Sequence, residues 1–206
     1  VIGVQTCALP ISVIAGLSPY KTPYQLWAEK LGKYEPEPVG AAAIRGILLE
    51  NTVAEFYEME TGRELRRSNG IVRLKELPWV MASLDRTIVG EDGLVEIKTS
   101  TSPRWSLYPV PPEVEAQVQW QMFVTGAPWC DVAALLGGLV FRIERVVADV
   151  EYQTNLYRKA VEFRNALATQ TPPTLQGQDS DALAAVVPQA SDEYAIAESG
   201  IERVAA

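Results

Sequence analysis

The stretch Leu84–Lys98, LDRTIVGEDGLVEIK, decides the fold because it reads as two strands joined by a tight turn. Ile88 and Val89 end a β-branched run. Gly90–Gly93 then supplies turn chemistry, since glycine adopts positive φ and aspartate tolerates it. Leu94–Lys98 predicts a second strand, so the whole stretch is predicted to form a β-hairpin.

Alternation along the second strand gathers charged side chains on one face. Glu96 and Lys98 share a face and Ile97 points to the other, because successive side chains of a strand alternate. Asp85 reaches the Glu96 side if the register pairs the strands that way. Two carboxylates this close repel each other unless a proton or a cation lies between them. A hard divalent cation with oxygen ligands is the interpretation that we favour.

Length and composition narrow the class of protein. The chain has 206 residues, 48% hydrophobic and 21% charged, which is ordinary for one globular domain. No apolar run is long enough to span a bilayer, so no membrane segment is predicted. The absence of histidine excludes histidine acid–base chemistry, and two cysteines are too few for a disulfide framework or a cysteine-ligated metal cluster.

The net charge of −8 argues at first sight against a nucleic-acid partner. The charge is unevenly placed, however, because the six acidic residues and one arginine after residue 168 account for −5 of it. Residues 169–206 are also rich in proline and small residues, which predicts a flexible acidic tail. The remaining charge includes the proposed metal site, so an acidic metal-dependent nuclease is compatible with the composition.

The first twelve residues, VIGVQTCALPIS, look foreign to the rest of the chain. Residues 4–12 match the in-frame translation of a common sequencing adapter. We therefore interpret residues 1–12 as an artefact and expect the natural N-terminus to be lost. A short signal segment is the alternative, but this stretch lacks the basic n-region of such a segment. Residues 13–168 are then predicted to form one N-terminally truncated domain.

The other elements are predicted from capping signals and hydrophobic periodicity. Helices are expected at Pro23–Leu31, Ala41–Glu60, Pro112–Val124 and Glu151–Leu167. Thr22 is expected to cap the first of these helices and Gly62 to end the second. The third is expected to have an apolar stripe of Val114, Val118 and Met122. Further strands are expected at Ile71–Leu74, Trp79–Val89, Trp129–Leu136 and Leu139–Val147. The second helix is expected to bury one apolar stripe, made of Ile44, Ile47, Leu48, Ala54 and Tyr57.

Two polar side chains on these helices have both a plain and a functional interpretation. Glu50 has apolar neighbours three and four residues away, so it is either an exposed residue at the edge of the stripe or a buried carboxylate aimed at the metal site. Gln117 borders the buried face of its helix. Such a glutamine is usually solvated, but one that points at a site donates to a phosphate or holds a water.

The sequence has one basic cluster, formed by Arg63, Arg66, Arg67, Arg73 and Lys75. Such a run is most often a solvated face, and in a DNA-binding enzyme it would follow the phosphate backbone. Arg104 lies in a polar stretch after Lys98. Its guanidinium is a candidate phosphate contact, because it presents a fork of donors to phosphate oxygens.

The order of these motifs resembles the PD-(D/E)xK nuclease superfamily, and more closely the YqaJ-like viral recombinase family of phage lambda-type alkaline exonucleases. The resemblance covers about residues 13–167. A lone Glu-x-Lys recurs by chance, but the ordered set is specific. The matching stretches are SPYKTPYQLW at 18–27, RGILLE at 45–50, SLD at 83–85, EIK at 96–98 and AQVQWQ at 116–121.

The resemblance implies an α/β restriction-endonuclease-like core, in which helices flank a central mixed β-sheet. It also implies that Asp85, Glu96 and the backbone carbonyl of Ile97 hold one or two Mg²⁺ ions, for which Mn²⁺ would substitute. Lys98 would orient or help to deprotonate the attacking water. Glu50 would be an outer or second-metal ligand.

Two further roles follow from the same resemblance. Gln117 would be the helix glutamine beside the site, and Arg104 would lie near the cut phosphate. Leu84 stands where the motif has a proline. The upstream segment that supplies a 5′-phosphate-binding arginine is expected before Val13, and without it this chain would bind DNA ends poorly or be inactive.

The implied activity is a 5′-to-3′ exonuclease on linear double-stranded DNA in phage-type homologous recombination. DNA ends would be the substrate, with a single-strand annealing protein as a candidate partner and a homo-oligomer as a candidate assembly. The predicted location is the cytoplasm of a bacterial host, with a phage or prophage as the source of the gene.

Several alternatives stay open. Glu96 and Lys98 would form an ordinary cross-strand ion pair in a structural α/β domain. The chain would otherwise be a non-catalytic DNA-binding or recombination-partner module, or an endonuclease of the same superfamily. An iron–sulfur exonuclease of the CRISPR-adaptation type needs more cysteine ligands than Cys130 supplies.

Overall fold

The structure is a computed structural model that describes residues 10–36, 38, 40–68 and 70–186. Its helices are α1 Ile11–Ile14, α2 Pro23–Lys30, α3 Ala41–Thr61, α4 Arg104–Leu107, α5 Pro112–Thr125, α6 Val150–Thr169 and α7 Ser180–Val186. Its strands are β1 Leu65–Arg67, β2 Ile71–Arg73, β3 Met81–Ser83, β4 Arg86–Ile88, β5 Leu94–Ser100, β6 Trp129–Leu136 and β7 Val140–Val147.

The central sheet has five strands in the order β1-β4-β5-β6-β7, and β2 and β3 form a separate two-stranded sheet. Strands β5 and β6 are parallel and α5 connects them, whereas the other pairs are antiparallel. The predicted hairpin is confirmed, because Arg86 pairs with Val95 and Thr87 pairs with Leu94. The α/β class, with a mixed sheet flanked by helices, is confirmed as well.

Helices cover the two faces of this sheet. On one face α3 packs Val53, Ala54 and Tyr57 against Val95 and Ile97 of β5. The other face packs against α5, through the predicted stripe of Val114, Val118 and Met122. The opposite side of α5 is also buried, because α1, α2 and α6 form a third layer over it. Helix α5 is therefore a central helix, with apolar neighbours on two sides.

Local signals place most helix ends as predicted. Thr22 caps α2 in a reciprocal capping box with Gln25, and Pro23 occupies the first turn. Gly62, with φ of 68°, ends α3 in the left-handed conformation that glycine adopts without steric cost. The second hairpin, β6 to β7, turns at Gly137 and Gly138 as expected.

Two predictions about local packing are wrong. The expected strand Trp79–Val89 is divided into β3 and β4, which belong to different sheets. In α3 the apolar residues Ile44, Ile47 and Leu48 are 49%, 69% and 74% exposed rather than buried. Only the second half of α3 supplies buried side chains to the sheet, so its first half keeps apolar residues in contact with solvent.

The two ends of the chain bear on the predicted domain limits. Residues 1–9 and 187–206 lie outside the described residues, so the artefact and most of the tail stay predictions. Ile11 is buried in α1, and Ser12 belongs to the same helix. Within the predicted tail, α7 is packed, because its Ala182 is buried against the layer of α1, α2 and α6. Just before α7, the buried Asp179 accepts hydrogen bonds from the Thr22 hydroxyl and the Gln176 N–H. Among the described helices, none has the length and apolar character to cross a membrane.

Gly93, at the start of β5, is the position where an added methyl group would be most harmful. A Cβ there would lie 2.2 Å from the indole of Trp129. The Arg145 guanidinium lies over the same indole, with its Cζ 3.6 Å from the ring centroid. We predict that Gly93→Ala lowers the free energy of unfolding by about 1–3 kcal/mol, because the hairpin or the indole must shift. Urea denaturation measures this change.

Gly177→Ala is the matched control, because nothing lies within 4 Å of its added Cβ and its φ is not positive. This control should change the free energy of unfolding by less than about 0.5 kcal/mol. Equal unfolding midpoints for the two variants would contradict the packing described here.

Candidate active site

Asp85 lies in the gap between β3 and β4, where strand pairing is interrupted. Its Oδ2 accepts a hydrogen bond of 2.8 Å from the backbone N–H of Ile97. The pairing of β4 with β5 stops at Arg86 and Val95. Beyond that point the Asp85 carboxylate, and not a backbone carbonyl of β4, accepts the hydrogen bond from the Ile97 N–H of β5. This bond holds the carboxylate beside the segment that carries Glu96 and Lys98.

Glu96 is the most buried carboxylate of the site, with 1% of its surface exposed. Its Oε1 accepts from Lys98 Nζ at 2.5 Å and from Gln117 Nε2 at 2.6 Å. Its Oε2 accepts from Gln121 Nε2 at 2.7 Å. Three donors therefore compensate the loss of water around this carboxylate.

Lys98 and Gln117 complete the group of predicted residues that the structure brings together. The Lys98 ammonium donates to Gln117 Oε1 at 3.0 Å as well as to Glu96. Gln117 thus accepts from the ammonium and donates to the carboxylate, so its amide orientation is defined by both. The predicted alternation is confirmed: Glu96 and Lys98 face α5, and Ile97 faces α3.

Burial and charge shift the protonation equilibria of this group. Burial raises the pKa of Asp85 to about 7, and the neighbouring Glu96 charge adds to the effect. Burial alone would lower the pKa of Lys98, but Glu96 and then Asp85 raise it by more, so the net pKa lies above its ordinary value. One ammonium therefore lies beside two carboxylates, so the group has room for further positive charge.

Glu50 lies near this group but is held by another partner. Its Oε1 accepts from Arg86 Nη1 at 2.5 Å, and the same nitrogen donates to the Asp85 backbone carbonyl at 2.8 Å. The other guanidinium nitrogen of Arg86 donates to Asn51 at 2.8 Å. Arg86 is only 4% exposed, so the pair is largely shielded from solvent. The role of Glu50 as a metal ligand stays a prediction.

The donor set fits a hard divalent cation. In the part of the chain that the structure describes, no three side chains of His, Cys, Asp or Glu converge closely enough to hold an ion. Asp85, Glu96 and the Ile97 carbonyl offer oxygen only, which suits Mg²⁺ or Mn²⁺ and not a thiolate- or imidazole-seeking metal. Mg²⁺ retains several waters and needs few protein ligands, so this small set is sufficient.

The predicted DNA contacts lie outside this group. Arg104, at the start of the short helix α4, makes a two-pronged ion pair with Glu113, with distances of 3.0 and 2.8 Å. Arg66 and Arg67 are exposed on the edge strand β1. Arg104 is therefore a candidate DNA contact near the site, whereas Arg66 and Arg67 lie at the edge of the sheet.

A cavity of about 280 Å³ opens beside Lys98 and Gln117, and Glu113 and Tyr20 line it as well. A neighbouring cavity of about 590 Å³ shares Tyr20 with it and is lined by the hydroxyl-rich residues 99–102. The ammonium is thus accessible from solvent, although Glu96 is not. A substrate would approach the site from this side.

Sequence reasoning missed three residues that hold the site. Arg86 pairs with Glu50, Glu113 pairs with Arg104, and Gln121 donates to Glu96. Only Gln121 left a signal, because it follows Gln117 by one helical turn and therefore points the same way. The Arg86–Glu50 pair joins residues 36 positions apart, and the Arg104–Glu113 pair joins the successive helices α4 and α5, so no pattern within one element predicts either pair.

Comparison with known proteins gives the family of the chain. The sequence profile of the YqaJ-like viral recombinase domain family matches residues 7–128. The uncharacterized protein YqaJ of Bacillus subtilis (strain 168) is 34% identical in an alignment of 169 residues, which covers 78% of this chain and 53% of that protein. The chain thus spans about half the length of this relative. The chain belongs to the YqaJ-like viral recombinase domain family.

Solved structures show the same fold. LHK-Exo in complex with dAMP is 23% identical, with a TM-score of 0.63 over 78% of this chain and 86% of that one. LHK-Exo is the alkaline exonuclease of Laribacter hongkongensis, and a second structure of it is 22% identical, with a TM-score of 0.59 over 84% and 93% of the chains. A phage-related exonuclease from Haemophilus somnus 129PT is 9% identical, with a TM-score of 0.62 over 80% and 96%. The PD-(D/E)xK nuclease fold expected from the sequence is confirmed.

The raised pKa of Asp85 predicts how stability depends on pH in the absence of metal. An unfolded aspartate has a pKa of about 3.9, whereas that of Asp85 in the folded chain is about 7. The folded state therefore binds the extra proton between these values, and stability falls as pH rises through this window. The slope from this group is at most about 1.4 kcal/mol per pH unit.

Urea denaturation in EDTA from pH 4 to pH 8 measures this dependence. Asp85→Asn cannot ionise, so its stability should decline less over the same range. Parallel pH profiles for the variant and the unchanged protein would show that the Asp85 pKa is not raised.

Proposed function

We propose that this protein is a Mg²⁺-dependent DNA exonuclease that hydrolyses phosphodiester bonds at the ends of linear double-stranded DNA, in the 5′-to-3′ direction. The observation that carries the proposal is the convergence of Asp85, Glu96, Lys98 and Gln117 at one point on the sheet. Membership of a viral recombinase family and a fold shared with named exonucleases support it.

The chemistry requires an activated water and compensation of the charge that develops on the phosphate. A divalent ion held by Asp85, Glu96 and the Ile97 carbonyl would lower the pKa of water and act as a Lewis acid. Mn²⁺ would substitute, because the ligands are all oxygen. Such preorganised charge is commonly the largest contribution to catalysis.

Lys98 would act as a donor. Its raised pKa keeps it protonated while Glu96 and Asp85 attract its charge. A protonated amine orients a water or steadies the developing phosphate charge, but it does not accept a proton. A cation bound to the two carboxylates would reduce their effect on Lys98 and so lower the pKa of Lys98. Lys98 would therefore help to deprotonate the attacking water only after an ion has bound.

DNA binding would use the arginines outside the group. Arg104 is held by Glu113, so a phosphate would have to replace a carboxylate at that guanidinium. Arg66 and Arg67 would follow the backbone further along the duplex. A single-strand annealing protein, a homo-oligomer and a cytoplasmic location in a bacterial host are parts of the same proposal.

A non-catalytic DNA-binding or recombination-partner module is the second candidate. One observation favours it: Glu96 already has three protein donors, and Glu50 already has Arg86. An endonuclease of the same fold would share the site and differ in the end requirement. DNA binding without metal-dependent degradation would select the module, and cleavage of closed circular DNA would select the endonuclease.

Digestion of 5′-phosphorylated linear duplex, with and without Mg²⁺, tests the proposal. We predict that Lys98→Ala retains metal binding in calorimetry but loses cleavage by at least about 100- to 1000-fold. Asp85→Ala should lose both, because it removes a ligand.

Lys159→Ala is the control. Among the described residues, the only hydrogen bond that the Lys159 side chain makes is to the Ala15 carbonyl, at 3.2 Å. It should cleave at the unchanged rate. Full nuclease activity in either Lys98→Ala or Asp85→Ala would reject the assignment of the site.

The basic pair on β1 has a separate test. We predict that the double variant Arg66→Ala/Arg67→Ala binds duplex more weakly and that its affinity depends less steeply on salt. Each lost phosphate contact should reduce the slope of log affinity against log salt by about 0.9. Fluorescence anisotropy in EDTA measures the affinity for duplex and its salt dependence. The titrations cover about 50 to 200 mM salt, a range over which affinities for DNA change strongly.

Arg158→Ala provides the comparison, because this arginine is exposed on α6 and contacts Asn155 of its own helix. Its salt dependence should match that of the unchanged protein. An unchanged slope in the double variant would mean that the β1 edge does not contact DNA.

A further inference from the structure

Gln121 is a buried amide that touches the site without a role in the proposed reaction. It is 3% exposed, and it lies on α5 one turn after Gln117. Its Nε2 donates to Glu96 Oε2 at 2.7 Å and to the Ser83 backbone carbonyl at 2.9 Å. A side-chain amide has two hydrogens on its nitrogen, so both bonds form at the same time.

These two acceptors belong to different parts of the fold. Glu96 lies on β5 of the central sheet, whereas Ser83 ends β3 of the small sheet and precedes Asp85 by two residues. The link through Gln121 therefore connects the strand that carries one carboxylate to the segment that carries the other. Trp120 Nε1 donates to the Met81 carbonyl at 3.1 Å and ties the same helix to β3 a second time.

The link acts against charge repulsion. The Ile97 N–H holds the Asp85 carboxylate beside Glu96, and two like charges this close repel each other when no cation lies between them. The direct hold on the Asp85 carboxylate is the Ile97 N–H. A second restraint on its backbone segment keeps the carboxylates close before an ion arrives.

Gln121 also fixes the plane of the Glu96 carboxylate. Gln117 donates to Oε1 and Gln121 donates to Oε2, so the two amides hold opposite oxygens from successive turns of one helix. A carboxylate held at both oxygens has little freedom to rotate. Preorganised ligands lose less entropy when they bind an ion.

We propose that Gln121 is a positioning residue, which holds Glu96 and the Asp85 segment in the arrangement that binds a divalent cation. The proposal rests on the proposed function in one respect, that Asp85 and Glu96 take up such an ion. Gln121 itself contacts neither the ion nor the DNA. Partners of this kind typically change metal affinity or activity by about 10- to 100-fold when they are removed.

Gln119 provides a matched control on the same helix. It is 2% exposed, and its amide contacts the Val147 carbonyl, the Asp149 N–H and Gln153. These partners lie on β7 and α6, away from Glu96. Loss of the Gln119 amide removes three hydrogen bonds, one more than loss of the Gln121 amide, but it leaves the carboxylates untouched.

The experiment compares Gln121→Met with Gln119→Met, since methionine is unbranched and close to glutamine in size. Calorimetric titration with Mn²⁺ in the absence of DNA gives the metal affinity, and thermal unfolding in EDTA gives the stability. Both variants should unfold at lower temperature. Only Gln121→Met should bind Mn²⁺ more weakly, by about tenfold or more, and Gln119→Met should stay within about twofold of the unchanged protein.

Equal Mn²⁺ affinities for the two variants would overturn the role of Gln121, even if both are destabilised. If Gln121→Met does not fold, Gln121→Asn and Gln119→Asn replace the pair, because asparagine keeps the amide but is too short for both acceptors. If the unchanged protein binds no divalent ion, the metal-dependent function fails and the role of Gln121 fails with it. Normal metal binding and cleavage with equal affinities in the variants would reject Gln121 alone.

Discussion

The structure depends on the burial of two carboxylates beside one ammonium. Asp85 and Glu96 meet at the point where β4 stops and β5 continues. Among the described residues, Lys98 is the one cation whose side chain hydrogen-bonds to either of the two carboxylates. Neutral amides supply the remaining donors. A buried carboxylate without partners would lower the stability of the fold by about several kcal/mol. A carboxylate whose charge is fully neutralised by protein cations would not attract an ion. The site lies between these limits, which is the condition that a metal site requires.

Helix α5 explains how this arrangement is maintained. Its residues 117–121 read Gln-Val-Gln-Trp-Gln, and their side chains contact several different parts of the fold. Val118 packs on the sheet, whereas Trp120 packs in the layer of α1, α2 and α6. The glutamines meet Glu96 or the β7–α6 junction. A helix buried on several sides can carry glutamines only where each amide finds partners, so packing and chemistry specify the same short segment.

The sequence predicted those features that arise from local rules. The hairpin of β4 and β5, the shared face of Glu96 and Lys98, and the cap at Thr22 follow from turn chemistry, strand alternation and capping. The pairing of Glu50 with Arg86 could not be predicted, because it joins residues 36 positions apart. The exposed apolar residues of α3 were wrongly placed, since periodicity identifies a stripe but does not tell which part of it the sheet covers.

The proposed function requires that Asp85 and Glu96 share a divalent cation within reach of Lys98. Anomalous diffraction from crystals grown with Mn²⁺ locates such an ion. We expect one strong peak within coordinating distance of both carboxylates and of the Ile97 carbonyl. The absence of a peak there, with the two carboxylates still held by Lys98 and the glutamines, would contradict it.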